Sequence, residues 1–207
     1  MAAKTSFFDA MVTRRSIYAL ASESPIPDER IIEIVNHAIV HCPSPFNVQS
    51  ARAVILIGKE HQKLWDIAYE AAEKLFPAPV FEGLKPRIAG FRGGYGTVMW
   101  FEDAARFNVL EEQMGAQRWA GVRDKMPQWS EHSSGMHQYA VWTALEAEGL
   151  GCNLQHYNPL VDQRVQEEWK VPVDWSLKAQ MVFGKPVGPP RDKTALPVGE
   201  RVFVHKS

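Results

Sequence analysis

Apolar side chains along this chain alternate between helical stripes and short unbroken runs, the pattern of helices packed on buried strands. Ser6, with Asp9 three residues on, predicts a capped helix through about residue 13. Pro25 and Pro27 then interrupt, and Asp28 opens a second helix whose Ile31, Ile34, Val35, Ala38 and Ile39 share one face. Pro43 and Pro45 stop that helix. Residues 52–57 (RAVILI) read as a strand buried on both faces. A helix over 60–75 follows, with Leu64, Ile67, Ala68, Ala71 and Leu75 inward. The stretch 76–96 is rich in proline and glycine and is expected to be an irregular loop. Residues 97–101 (TVMWF) predict a second buried strand, and 103–126 a less regular, mostly helical segment. A long helix over 134–148 is closed by Gly149 and Gly151. A third strand starts at 152–155, and a short helix covers 162–169. Leu177, Ala179, Met181 and Phe183 alternate as a fourth strand, and 202–205 reads as a terminal strand. Strands separated by helices argue for a helix-clad α/β (α+β) sheet. No repeat, low-complexity tract or linker divides the chain, so residues 1–207 read as one domain.

Composition narrows the classes. A chain of 207 residues encloses a sizeable core. A formal net charge of −1 gives no sign of a nucleic-acid or acidic-membrane partner. No apolar run approaches the roughly 20 residues that span a bilayer. The start MAAKTSFFDAM lacks the charged, apolar and small-residue zones of a signal peptide, so a cytoplasmic setting is expected. Cys42 and Cys152 make neither a disulfide framework nor a metal pattern, and each reads as a small buried side chain. The seven histidines form no HExxH site, and no metal is expected. Gly90 to Gly96 (GFRGGYG) lacks the strand–turn–helix setting of a dinucleotide fingerprint.

Two segments concentrate chemistry. Thr13-Arg14-Arg15-Ser16-Ile17-Tyr18 places two guanidiniums and a hydroxyl at the end of a short helix, which suits a dianionic phosphate. Pro43-Ser44-Pro45-Phe46-Asn47-Val48-Gln49-Ser50 is a polar turn between helix and strand. Its side chains both donate and accept, which suits the edge of a planar heterocycle. Together they point to a nucleotide-like cofactor; taken singly, the first is equally a solvated helix end and the second only a turn.

The chain resembles the nitroreductase family of flavin enzymes, most closely its short fungal and bacterial branch. The resemblance runs through Arg14-Arg15-Ser16, Pro43 to Ser50, Gly94-Tyr95-Gly96-Thr97 into Phe101-Glu102-Asp103, Trp129 to Met136 (WSEHSSGM), Gly149 to Pro159 (GLGCNLQHYNP), Gly184-Lys185-Pro186 and Lys193 to Val202, in the family's order. It implies a mixed central sheet clad by helices, and an intertwined homodimer whose C-terminal strand crosses to the partner. It also implies FMN, with NADH or NADPH as donor and a nitroaromatic or quinone as acceptor, in a ping-pong scheme. Arg14, Arg15, Ser16 and Lys193 match the phosphate site. Ala195 stands where the family commonly has a second clamp cation, which leaves Arg201 to compensate. Pro43, Ser44, Asn47 and Gln49 match the turn that reaches the flavin from the other subunit.

Gln155, His156 and Tyr157 match the stretch beside flavin N5, where His156 is either a proton donor or a residue that orients the turn. Tyr18 stands where many relatives carry a lysine near N1, with Arg92, Lys85, Arg14 or Arg15 as substitutes. Trp129 and His132 are the candidates for substrate contact, while Ser133 or Ser134 suits the N-cap of the long helix. A flavin-bound regulatory protein with little turnover is the alternative reading. A serine hydrolase built on Ser133 or Ser134 is disfavoured, because adjacent residues seldom converge as a triad and no G-x-S-x-G elbow is present.

Overall fold

A computed structural model describes residues 5–207; the first four residues, part of the stretch read as lacking a signal peptide, lie outside the described residues. The element order is α1 (Phe7–Thr13), β1 (Leu20–Ala21), α2 (Asp28–His41), β2 (Ala51–Ile57), α3 (Lys59–Leu75), α4 (Ala78–Arg92), β3 (Gly96–Asp103), α5 (Ala105–Met114), α6 (Ala116–Ala120), α7 (Met126–Ala147), β4 (Gly151–Gln155), α8 (Asp162–Trp169) and β5 (Trp175–Pro186). The sheet runs β1-β5-β3-β2, and β4 also pairs with β5, along residues 180–184 next to the β1 ladder at 185–186. All ladders between these strands are antiparallel, and the parallel element is a single bridge from Ser16 to Cys152.

Alternation along β3 sends side chains to two cores. Met99 and Phe101 join Leu64, Trp65 and Ala68 of α3 and Ile88 and Phe91 of α4 on one face. Val98 and Trp100 join Ile31 and Val35 of α2 and Val141 and Leu145 of α7 on the other. The central sheet is therefore clad on both faces, as its continuous apolar runs require. β2 departs from the expectation of full burial. It ends the sheet within one chain, so only Ala51 and Leu56 are buried and the other five residues are half-buried.

Residues 76–96 are not a loop. α4 fills most of the stretch, because Pro79 lies in its first turn, where the missing N–H costs nothing. Pro86 sits inside the helix on the exposed side, and Phe81, Ile88 and Phe91 bury the opposite stripe. Burial of three such side chains contributes about 1.5–3 kcal/mol each, enough to offset a proline penalty of about 3 kcal/mol. α7 also starts earlier than expected, at Met126, with Pro127 in its opening turn. Ser133 and Ser134 therefore lie inside the helix and cap nothing; Ser134 Oγ accepts from Gln138 Nε2 at 2.9 Å. Leu75, expected inward, is exposed, and Ala72 takes its place in the core. Residues 202–205 form no strand within one chain. Val202, Phe203 and Val204 have no neighbouring edge and are 59%, 75% and 69% exposed.

Candidate functional site

The arginine pair leaves α1 and runs directly onto β4. Ser6 Oγ caps the helix by accepting from the Asp9 N–H at 3.2 Å. Past Arg14 the chain extends. Ile17 N–H donates to the Cys152 carbonyl at 2.9 Å, and Asn153 Nδ2 donates to the Ile17 carbonyl at 2.8 Å. Gly151 permits the approach, since a Cβ there would lie 3.0 Å from the Ile17 side chain.

Glu146 of α7 completes the anchor. One of its oxygens accepts from the Arg15 N–H at 2.7 Å, and the other from Trp142 Nε1 at 2.7 Å. Burial pushes the Glu146 carboxyl up, and those two donors act against the shift. The Trp142 ring supports the Arg14 guanidinium at 4.6 Å, with Tyr139 at 5.7 Å.

Arg14, Arg15, Ser16 and Tyr18 line a polar cleft of about 440 Å³ with Arg191, Asp192, Lys193 and Thr194 of the tail. Both ends of the chain thus meet there, and the cations outnumber the single carboxylate. Arg14 Nε is buried and has no hydrogen-bond partner among the described residues. Arg15 also donates through its guanidinium to the Arg191 carbonyl, which ties the tail down.

Tyr18 and Arg191 also line a second cleft of about 380 Å³, with Phe91, Arg87, Gln155 and Tyr157. Gln155 and Tyr157 therefore join the predicted group. Tyr157 N–H is taken by Gln180 Oε1 at 2.7 Å, and burial raises the phenol. His156 is exposed and faces a neighbouring apolar cleft with Leu75, Phe76 and Leu160.

The turn lies elsewhere. Ser44, Asn47 and Gln49 line a separate cleft of about 400 Å³ with Arg52 and His137, and none of them borders the two clefts above. Pro43 borders a different, apolar groove between α2 and α7. Phe46, Asn47 and Gln49 all have positive φ, at 52°, 54° and 53°. For Phe46 and Gln49 the left-handed region costs about 1–2 kcal/mol each.

Contacts beneath the turn hold it there. Ser44 Oγ accepts from the Gln49 N–H at 3.0 Å, and Val48 is buried with Leu110, Trp119 and Met126. Arg52 bridges the Gln49 carbonyl at 2.8 Å and Asp103 at 2.7 Å. Glu102 accepts from Ser50 and Ser130 at 2.5 Å each, and its other oxygen is buried without a partner among the described residues. Burial pushes that carboxyl up. Trp129 sits beside the turn, 6.1 Å from the Phe46 ring, and His132 is exposed on the same helix.

Sequence reasoning missed Arg191, Arg87, Glu146 and Trp142. Trp142 and Glu146 are four apart on a predicted helix, a signal that they pair, but their contact to Arg15 spans 131 residues. Arg201 lines neither cleft; Arg191 occupies the position expected of it. Arg92 pairs with Asp66 at 2.7 Å and Lys85 with Glu82 at 2.6 Å, and neither lines the two clefts.

The profile of the Nitroreductase family matches residues 11–185. HBN1 of Saccharomyces cerevisiae, a candidate nitroreductase by name, is 36% identical over 98% of this chain and 100% of its own. The nitroreductase CinD of Lactococcus lactis, solved with chloramphenicol, nicotinic acid and 4-nitrophenol, superposes with TM-scores of 0.84, 0.84 and 0.83. It is 39% identical in the chloramphenicol complex, over 97% of this chain and 100% of its own. A nitroreductase with bound FMN from Desulfitobacterium hafniense matches over 100% of both chains at a TM-score of 0.68 and 14% identity, a likeness of fold alone. The chain belongs to the nitroreductase family.

Proposed function

We propose that this chain is an FMN-dependent oxidoreductase of nitroaromatics or quinones. It draws on NADH or NADPH and acts as a cytoplasmic homodimer of single-domain subunits. The observation that carries the proposal is the cleft where Arg14, Arg15, Arg191 and Lys193 converge from both ends of the chain around Ser16. A buried arginine nitrogen without a partner and several donors around one cleft fit a phosphate monoester. The adjoining cleft, walled by Tyr18, Phe91 and Tyr157, fits a planar ring. Bound FMN would supply the redox chemistry, taking a hydride from the nicotinamide and passing it to the aromatic acceptor.

The protein's own tasks are binding, orientation and exclusion of water. Arg14, Arg15, Ser16 and Lys193 hold the phosphate. Gln155 and Tyr157 flank the ring, and His156 lies beyond it. Pro43, Ser44, Asn47 and Gln49 of the partner close the site, with Trp129 and His132 on the acceptor's side. The dimer also explains the exposed apolar tail, the free edge of β2, and the groove of about 670 Å³ between α2 and α7 lined by Phe7, Ile34, Ala38, Ala140 and Ala144. The partner's C-terminal strand would cover surface that one chain leaves open. Among the described residues no helix is long and apolar enough to cross a membrane, and no cluster of three or more metal-ligating side chains is found.

The absorption spectrum of purified protein tests the proposal. A yellow protein carrying about one FMN per subunit supports it; a protein that refuses added FMN at micromolar levels overturns it. Steady turnover with NADH or NADPH separates an enzyme from a flavin-bound regulator.

A further inference from the structure

We infer that Arg191, braced on the ring of Tyr18, places its positive charge beside N1 of the flavin; the inference rests on the FMN reading above. Two electrons and one proton, delivered together as hydride, turn the neutral oxidised ring into an anion whose charge centres on N1 and the C2 carbonyl. A cation held there favours the reduced state over the oxidised one. Arg191 is exposed in the single chain, so its fixed position, not burial, gives it this role. Tyr18 has no permanent charge to offer.

Geometry selects Arg191. Tyr18 and Arg191 are the residues that line both clefts. The chain linking phosphate to ring leaves the isoalloxazine at N10, on the same edge as N1. A group at the junction of a phosphate cleft and a ring cleft therefore lies next to that edge. The Arg191 guanidinium carbon stands 4.8 Å from the Tyr18 ring centroid. This contact orients the guanidinium and leaves its charge unneutralised. No carboxylate forms an ion pair with Arg191 among the described residues.

Its backbone is fixed as well. Arg15 donates to the Arg191 carbonyl, Val187 N–H donates to the Ala19 carbonyl at 2.9 Å, and Lys185 N–H to the Glu23 carbonyl at 2.8 Å. Gly188 lets the tail lie close, since a Cβ there would meet Ala19 Cβ at 3.0 Å. The tail thus returns over residues 15–23 and delivers the cation to the junction. Arg87, the other guanidinium of the ring cleft, comes from α4 and does not reach the phosphate cleft.

A residue serving the phosphate alone would weaken oxidised and reduced FMN equally. One serving N1 weakens the reduced form more, and that difference is measurable. The reduction potential of the bound flavin, with FMN affinity by titration, is compared among wild type, Arg191→Gln, Arg191→Lys and Tyr18→Leu. We expect Arg191→Gln to lower the ratio of reduced to oxidised affinity about tenfold, equivalent to about 30 mV for a two-electron couple. Arg191→Lys should recover most of that ratio, and Tyr18→Leu should lose part of it. A potential unchanged in Arg191→Gln, at whatever FMN affinity, overturns the inference and leaves the FMN reading standing. Wild-type protein that takes up no FMN overturns both.

Discussion

The cation cleft and the Pro43–Gln49 turn are built on opposite principles. The cleft is finished within one chain: Glu146, Trp142 and the tail fix the arginines, and both ends of the sequence meet there. The turn is held just as firmly from below by Ser44, Arg52 and the Glu102 carboxylate. Yet Asn47 and Gln49 stay exposed, in a cleft shared with Arg52 and His137 and apart from the arginine pair. Strain stored at Phe46 and Gln49 shapes a surface that borders neither of the two clefts at the arginine pair. Under the proposed dimer, the difference is that between a half-site held by its own chain and a half-site offered to a partner. A second copy of the chain is the economical candidate, since isologous dimers offer each patch to its mate.

Experiments that break either half should have unequal consequences. Arg14→Ala combined with Arg15→Ala should raise the FMN dissociation constant about a hundredfold or more, because two charge-assisted contacts contribute about 1.5–3 kcal/mol each. Titration of flavin fluorescence reads this, and circular dichroism should show the fold intact. Removing residues 197–207 deletes the exposed Val202, Phe203 and Val204 but spares Arg191 and Lys193. We expect sedimentation to show a dimer weakened about tenfold or more, with FMN retention becoming dependent on protein concentration.

Glu102→Gln probes the support beneath the turn through pH. Burial raises this carboxyl above its ordinary 4.5 in the folded state, so the folded protein holds the proton more tightly than the unfolded chain. The associated stability is fully present below 4.5 and fades as pH rises through the folded value. Wild type should therefore lose stability over that rise relative to Glu102→Gln, as urea unfolding at successive pH values would show. An identical slope in the two proteins would mean that Glu102 titrates as an ordinary surface group. The smallest effect belongs to Gln49→Gly. Relief of a positive φ should raise stability by about 0.5–1 kcal/mol, while loss of the amide weakens FMN a few-fold.

Much of the scaffold was readable because local pattern and tertiary burial agree. Ile31, Ile34, Val35 and Ala38 face the core as their spacing predicts, and the helix over residues 162–169 has its expected bounds. Residues 76–96 were misread because their prolines and glycines oppose a helix that only Phe81, Ile88 and Phe91, once buried, make favourable. Ser133 and Ser134 looked like caps because small polar residues usually are; inside α7 they are buried against their own helix. In the candidate site, Arg14, Arg15, Ser16, Gln155, Tyr157 and Lys193 were legible as motif residues and do gather at two joined clefts. Arg191 was not, because it follows two prolines in an irregular tail, and only the fold brings it to Tyr18. Nothing in the linear order could show that the turn stands apart from the cations.

The most direct test is complementation between two damaged copies. One carries Arg14→Ala with Arg15→Ala, the other Ser44→Ala with Gln49→Ala, and free FMN is held below the dissociation constant of either parent. Co-expressed, random pairing puts about half of the dimers in mixed form, each with one intact site, so about a quarter of all sites should recover tight FMN binding. Recovery at that level, read as bound flavin per subunit, would establish that the cleft of one chain is closed by the turn of another. Mixed dimers that bind no more FMN than either parent would contradict it.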